Sequence, residues 1–356
     1  MLDGIYLVTT LTILLATYLM FKRPQTVVLR RAASVDAAEP SSQCREPSTE
    51  PEPETEPDSD VQPEPASGPQ PDPDSSPPQP EPECPPTIRI LSLNACVLAA
   101  GVTFSRDGKD MKDERLECIL TWAQDYDVTV LQEVWGSWWT KRHTTFYDRA
   151  IAAGLHVVHT PCGATMDSGN VILTKRNVQS CSAHVFSSAA GWQRALPNGV
   201  LHACVDIGNE VPLHVFTTHL HCNTFPYESR WNNGAAEVRA AQITEMRDFM
   251  LRTVPEGELW LATGDFNVVG KSNEYRSLAD TFGCESLLAP SFPPTFNCDS
   301  FLAPPEWRTG DRGIDEFAPI GCLDHVFTTC DVSSVRVVTD KRDISDHFPV
   351  EIVVKA

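Results

Sequence analysis

Leu259-Trp260-Leu261-Ala262-Thr263 runs directly into Gly264-Asp265-Phe266-Asn267, so an apolar, strand-like stretch ends on a glycine, a carboxylate and an amide. Short runs of this kind, bounded by polar punctuation, read as β-strands. The same pattern recurs outward in both directions. Residues 87–93 (TIRILSL) run into Asn94, and 128–131 run into Gln132-Glu133. Residues 170–174, 200–207, 213–218, 323–328 and 350–354 are further runs of strand length. Between 231 and 253 the period changes. Ile243, Met246, Phe249 and Met250 recur at three- and four-residue spacing, which predicts one amphipathic helix. Residues 112–124 and 138–152 are weaker helical segments. Mixed strands and helices with short connections predict an α/β (α+β) domain of layered sheets covered by helices.

Composition divides the rest of the 356-residue chain. Sixteen of the 29 prolines fall between Pro40 and Pro86, among Glu, Asp, Ser and Gln. Such a segment cannot bury enough surface to offset the entropy of ordering, so residues 25–86 are expected to form a disordered acidic linker. Ahead of it, residues 5–21 (IYLVTTLTILLATYLMF) carry no charge and are about long enough to cross a bilayer. Asp3 precedes this run, whereas Lys22, Arg23, Arg30 and Arg31 follow it. A cleaved signal peptide has the opposite charge order and is the alternative reading. Residues 1–24 are thus expected to be a single-pass membrane anchor, with the domain of residues 87–356 on the cytosolic side.

The formal net charge of -20 is shared about evenly between residues 1–86, with 15 acidic and 5 basic side chains, and the remainder. An acidic domain is a poor partner for duplex nucleic acid, whose phosphates are neutralised by Lys and Arg. None of the 12 cysteines stands in a CxxC pair, which makes a zinc site improbable. Cys96, Cys118 and Cys204 lie in apolar segments and read as buried thiols. Trp135-Gly136-Ser137-Trp138-Trp139 reads as core, with a membrane-interface role as its alternative.

Polar residues at strand ends are where a sheet-based enzyme places its chemistry. Asn94, Glu133, His219, Asp265, Asn267, Asp324 and the pair Asp346-His347, which precedes Phe348-Pro349-Val350, all fall at such positions. Singly, Asn94 could cap a turn, Glu133 could be solvated, and His219 could be a hydrogen-bonded core histidine. Jointly they match one reaction. A hard divalent ion needs one or two carboxylates plus a substrate phosphate. A histidine held by a carboxylate suits proton abstraction from water. The set reads as a cation-dependent site for hydrolysing phosphoesters.

The motifs LSLNACV, VLQEVW, SGNVILTK, TTHLHC, LATGDFNV, CLDHVF and ISDHFPV also occur in the order seen in the endonuclease/exonuclease/phosphatase superfamily, which residues 87–356 resemble. That resemblance implies a deoxyribonuclease I-like four-layer α-β-β-α sandwich. Within the superfamily the chain looks most like neutral sphingomyelinases. The similarity lies in Glu133-Val134-Trp135, in the passage from His184 through Gly191-Trp192 to Asn198–Ala203 and on to Thr218-His219-Leu220-His221, and in the helix with Arg239, Gln242, Glu245 and Phe249. Asn198 stands where that family often has a basic or small residue. Cys322-Leu323-Asp324-His325 lacks the tryptophan-cysteine-aspartate-arginine motif of inositol polyphosphate 5-phosphatases.

The resemblance implies Mg²⁺, with Mn²⁺ as a substitute, on Glu133, with Asn94 nearby and Asp346 as a further ligand or ligand orienter. It implies His347 as general base held by Asp324, with Asp265 and Asn267 positioning water and phosphoryl group. His219 would stabilise developing charge, and Asn94, Asn267 and His219 would contact substrate. The activity implied is hydrolysis of sphingomyelin to ceramide and phosphocholine at a lipid bilayer. The alternatives are an inositol phosphatase or nuclease of the superfamily, or a membrane-tethered inactive adaptor.

Overall fold

The computed structural model describes residues 27–32, 87–99, 101–102, 109–136, 140–161, 166–223, 234–297, 300, 302, 321–340 and 344–355. The expected anchor, most of the expected linker, Trp138, Trp139 and the Trp192 side chain lie outside them. No described helix is long and apolar enough to cross a membrane.

Among the described residues twelve strands form two sheets. In chain order they are β1 (Val28–Arg30), β2 (Thr87–Val97), β3 (Val128–Val134), β4 (His156–His159), β5 (Val171–Thr174), β6 (Val178–Val185), β7 (Gly199–Val205), β8 (Leu213–His219), β9 (Leu259–Asp265), β10 (Asp324–Thr328), β11 (Val332–Val337) and β12 (Val350–Lys355). One sheet has the order β1-β4-β5-β3-β2-β12-β11, and the other β10-β9-β8-β7-β6. The helices are α1 (Lys112–Ala123), α2 (Arg142–Ala152), α3 (Ala235–Thr253) and α4 (Asn273–Phe282).

Strand alternation sorts the core into three apolar layers. Ile88 and Ile90 of β2 meet Leu201, Val215 and Leu261 of the other sheet between the two sheets. Leu93, Ala95 and Val97 of the same strand turn the other way, onto Leu116 and Ile119 of α1 and Phe146 and Tyr147 of α2. Phe216 and Ala262 face outward from the second sheet, onto Ile243 and Met246 of α3 and Leu278 of α4. The layers are therefore helix, sheet, sheet, helix.

All eight expected runs are strands, and all three expected helices are present, the first beginning at Lys112 as expected and the other two with starts shifted to Arg142 and Ala235. Two expectations need correction. Val28–Arg30, inside the stretch read as linker, pairs with β4 as an edge strand of the first sheet. Cys118 is exposed rather than buried. The inward stripe of α1 is Leu116, Ile119, Leu120 and Ala123, which turns position 118 outward. Cys96 and Cys204 are buried free thiols, as expected, and Trp135 is buried at 9% exposure.

Candidate active site

β8 and β9 run parallel with His219 opposite Asp265, and β10 runs antiparallel to β9 with Asp324 opposite Asp265. Directly opposed residues in neighbouring strands place their side chains side by side. Asp265 is therefore flanked by a histidine and a second carboxylate through register alone. Gly264 makes this close pairing possible. Its φ is +145°, and a Cβ there would lie 2.2 Å from the Thr218 carbonyl oxygen. The first sheet supplies Asn94 from β2 and Glu133 from β3, whose strands run parallel with Asn94 opposite Gln132. Gln132 Nε2 reaches across to Thr217 Oγ1 at 2.8 Å and ties the two sheets beneath the site.

Asp265 Oδ2 is the hub. It accepts a hydrogen bond from Asn94 Nδ2 at 3.0 Å, and the same amide donates to Glu133 Oε1, also at 3.0 Å. His219 Nε2 lies 3.6 Å from Asp265 Oδ2 and 3.7 Å from Glu133 Oε1. His347 Nε2 lies 3.6 Å from the same Asp265 oxygen, while its Nδ1 is bonded to Asp324 Oδ2 at 2.8 Å. The Asn267 backbone N–H donates to Asp265 Oδ1 at 2.9 Å, and its side-chain amide donates to the Leu220 carbonyl at 3.0 Å. Ser345 Oγ donates to the Asn94 carbonyl at 2.6 Å and accepts from the His347 N–H at 3.1 Å, which locks the 344–347 loop to β2.

Crowded carboxylates in a buried site set the electrostatics. Burial pushes the Glu133 carboxyl up, and the nearby Asp346 and Asp265 charges add to this, whereas His219 and the Asn94 amide act against it. For His347, burial opposes the imidazolium, but Asp324 and Asp265 overcome it and hold the group up at about 10. Burial, then Asp346 and Glu133, push the Cys96 thiol well above its ordinary value, which disfavours the thiolate.

Glu133, His219 and Asp265 offer three ligand atoms within 4.8 Å of one another. The two carboxylate oxygens suit a hard divalent cation, whose charge would offset the buried negative charge gathered there, and the imidazole stands beside them. This group contains Asp265, expected to position water, and does not contain Asp346. The Asp346 carbonyl accepts from Asn297 N–H at 2.6 Å, and its carboxylate accepts from Ser345 Oγ at 3.3 Å.

The structure thus brings Asn94, Glu133, His219, Asp265, Asp324 and His347 together. Asn267 and Asp346 border them. Arg115 of α1 was not singled out by sequence. It is buried, and its guanidinium donates to the carbonyls of Ala95, Cys96 and Ile344 at 2.7–2.9 Å, clamping the segments that carry Asn94 and His347. Thr295 was also missed. Its hydroxyl accepts from the backbone N–H groups of Leu323 and Asp324 at 2.9 and 3.1 Å. Neither residue stands at the end of an apolar run, so no local signal marks them. Asn198, the position that departs from the sphingomyelinase pattern, is buried at the start of β7, and its Oδ1 has no partner among the described residues.

Two stacked sheets between helical layers, with acidic groups and histidines converging at one end, define a hydrolase fold of the phosphoesterase type. The chain belongs to the Endonuclease/Exonuclease/phosphatase family, whose sequence profile it matches over residues 108–347. No curated protein sequence matches it significantly. Among solved structures it is similar to SmcL, with a TM-score of 0.61, 18% identity, and coverage of 76% of this chain and 99% of that one. Sphingomyelinase C from Streptomyces griseocarneus is similar at a TM-score of 0.54 and 19% identity, over 76% of this chain and all of that one. A beta toxin variant from Staphylococcus aureus crystallised with bound magnesium ions is similar at 0.55 and 18%, over 75% and 99%. At such identities the likeness is one of fold.

Proposed function

We propose that the chain is a Mg²⁺-dependent phosphodiesterase that hydrolyses sphingomyelin to ceramide and phosphocholine at a membrane into which residues 5–21 insert. The observation that carries the reaction is His347, held through Nδ1 by Asp324 with Nε2 turned toward the Asp265–Glu133–His219 group. The substrate class is supported by the sphingomyelinase-like motifs and by the sphingomyelinase among the structural relatives.

In its neutral form His347 Nε2 takes a proton from the attacking water as the water oxygen bonds to phosphorus, and Asp324 stabilises the imidazolium that forms. The bond from phosphorus to the ceramide oxygen breaks, and that oxygen leaves as ceramide once protonated. His219 Nε2, beside the same centre, donates to the phosphoryl or leaving oxygen. Asn94 holds Glu133 and Asp265 at a fixed separation through its bridging amide. A divalent cation on Glu133 and Asp265, with His219 at hand, would neutralise phosphoryl charge, activate water, and relieve the carboxylate field that keeps His347 protonated.

The test is phosphocholine release from sphingomyelin in mixed micelles at neutral pH, with Mg²⁺ or with chelator, alongside phosphatidylcholine, an inositol phosphate and DNA. Sphingomyelin-selective release abolished by chelator is expected. Cleavage of DNA or of the inositol phosphate in its place would overturn the substrate while leaving the site, and inactivity on all four would favour the adaptor.

A further inference from the structure

β1 fixes which way the domain faces. Its register continues across the sheet: Val28 is level with His159, His159 with Val171, Val171 with Leu131, and Leu131 with Leu93. Leu93 adjoins Asn94, and Leu131 lies two residues before Glu133. The chain therefore enters β1 at the end of the sheet that carries the site. Three strand spacings, about 14 Å, separate β1 from β3. β1 then runs away from the site: Arg30 is level with Val157, Leu173, Thr129 and Leu91, four residues along β2 from its start at Thr87.

The strand is held by more than its ladder. Val27 and Leu29 pack on the core between the sheets. Arg30 pairs with Asp148 of α2. Arg31 Nη2 donates to the Val178 carbonyl at 3.3 Å, and the Ala32 N–H donates to His156 Nδ1 at 3.2 Å.

Only residues 22–27 separate the apolar run 5–21 from β1, and six residues span at most about 20 Å. The connector carries Lys22 and Arg23, which favour an anionic leaflet. Residues 33–86 carry fourteen acidic side chains and one basic side chain, and they follow β1 at the end turned away from the site. An acidic stretch is disfavoured at an anionic leaflet, whereas the basic connector is favoured there.

We propose that β1 is an orienting strut that presents the mouth of the active site to a lipid surface, with segment 5–21 entering the bilayer beside that mouth. The inference rests on the reading of 5–21 as membrane-inserted. The six-residue connector, and not the acidic linker, then sets the distance to the bilayer.

The test places a donor fluorophore, by unnatural amino acid, either at Val102 or at Glu256 of the full-length chain. Val102 is 46% exposed in the loop that follows β2 at the site end. Glu256 is exposed in the turn before β9 at the far end. The chain is inserted into phosphatidylcholine–sphingomyelin vesicles that contain an acceptor-labelled lipid. Because β9 alone separates the two ends by about 23 Å, transfer from position 102 is expected to exceed that from 256 roughly twofold or more. Inserting about 20 Gly/Ser residues after Gln25, a flexible coil, should abolish the difference while leaving hydrolysis of detergent-dispersed lipid unchanged. The same insertion after Asp60 should leave the difference intact. Equal transfer from both positions in a vesicle-bound chain, or a difference that survives the first insertion, overturns the orientation alone. A chain that does not sediment with vesicles overturns the membrane reading, and the orientation with it.

Discussion

Glu133 and Asn267 hold positive φ angles of 55° and 51°, and Cys96, two residues past Asn94, holds 47°. Non-glycine residues in this region cost on the order of 1–3 kcal/mol each, and such strain clusters at functional sites. Here each one turns the chain just where a strand delivers a polar side chain to the cleft. The identities of these residues were legible in the sequence, because a carboxylate, amide or imidazole closing an apolar run has few structural uses. The side-by-side placement of His219, Asp265 and Asp324 was not, because they are neighbours only through the register of three strands drawn from distant segments. The coupling of His347 to Asp324 makes a specific prediction. His347→Ala and Asp324→Asn should each lower turnover by about 10³-fold or more while the thermal midpoint stays within a few degrees. The double variant should be no slower than His347→Ala, since an orienting carboxylate has nothing left to orient. Losses that multiply in steady-state kinetics would show that the two residues act separately.

Elements with continuous apolar runs were read correctly, because both faces of those strands are buried. β6 and β11 escaped for the converse reason. They are edge strands with sequences VQSCSAHV and VSSVRV, half-exposed, in which serine and arginine interrupt the run. α4 escaped because it buries little more than Tyr275, Leu278 and Ala279. The edge beside β11 shows how polar residues stabilise such a margin. Glu351 of β12 accepts from Arg336 of β11 at 2.7 Å, from Arg89 of β2 at 3.0 Å, and from the Tyr126 hydroxyl at 2.8 Å. Burial works against its charge, but the hydrogen bonds from Arg336, Tyr126 and Arg89 win and hold the carboxyl down at about 2. Its folded value lies below its unfolded value near 4.5, so the stability it contributes is complete above that pH. The contribution drains away as pH falls from about 4.5 toward about 2. Glu351→Gln should therefore cost about 2 kcal/mol at pH 7 by urea unfolding, and the gap to the parent should close across that window. A gap independent of pH would mean that packing, and not charge, explains the loss.

At the scale of the whole molecule, the sequence divides the chain into apolar, acidic and globular parts, but only the fold shows that the globular part begins before the acidic one. A three-residue strand has too little pattern to stand out beside a proline-rich tract, and its place comes from burial of Val27 and Leu29 and from pairing with β4. Consequently residues 33–86 connect two strands of one sheet. β1 and β2 lie four strand spacings apart, about 19 Å, so roughly a dozen residues suffice to connect them, against the 54 present between Ala32 and Thr87. Closing a shorter loop costs less entropy, and the logarithmic dependence puts the difference at about 1 kcal/mol. Replacing residues 33–86 by twelve Gly/Ser residues should thus raise stability by about that amount and leave turnover on detergent-dispersed sphingomyelin intact. Amide exchange at Val28–Arg30 should remain as slow as in the parent chain, since the ladder to β4 is untouched. If the shortened chain instead loses protection at these three residues, the long acidic connection is needed to seat β1, and the strand is not an independent part of the sheet.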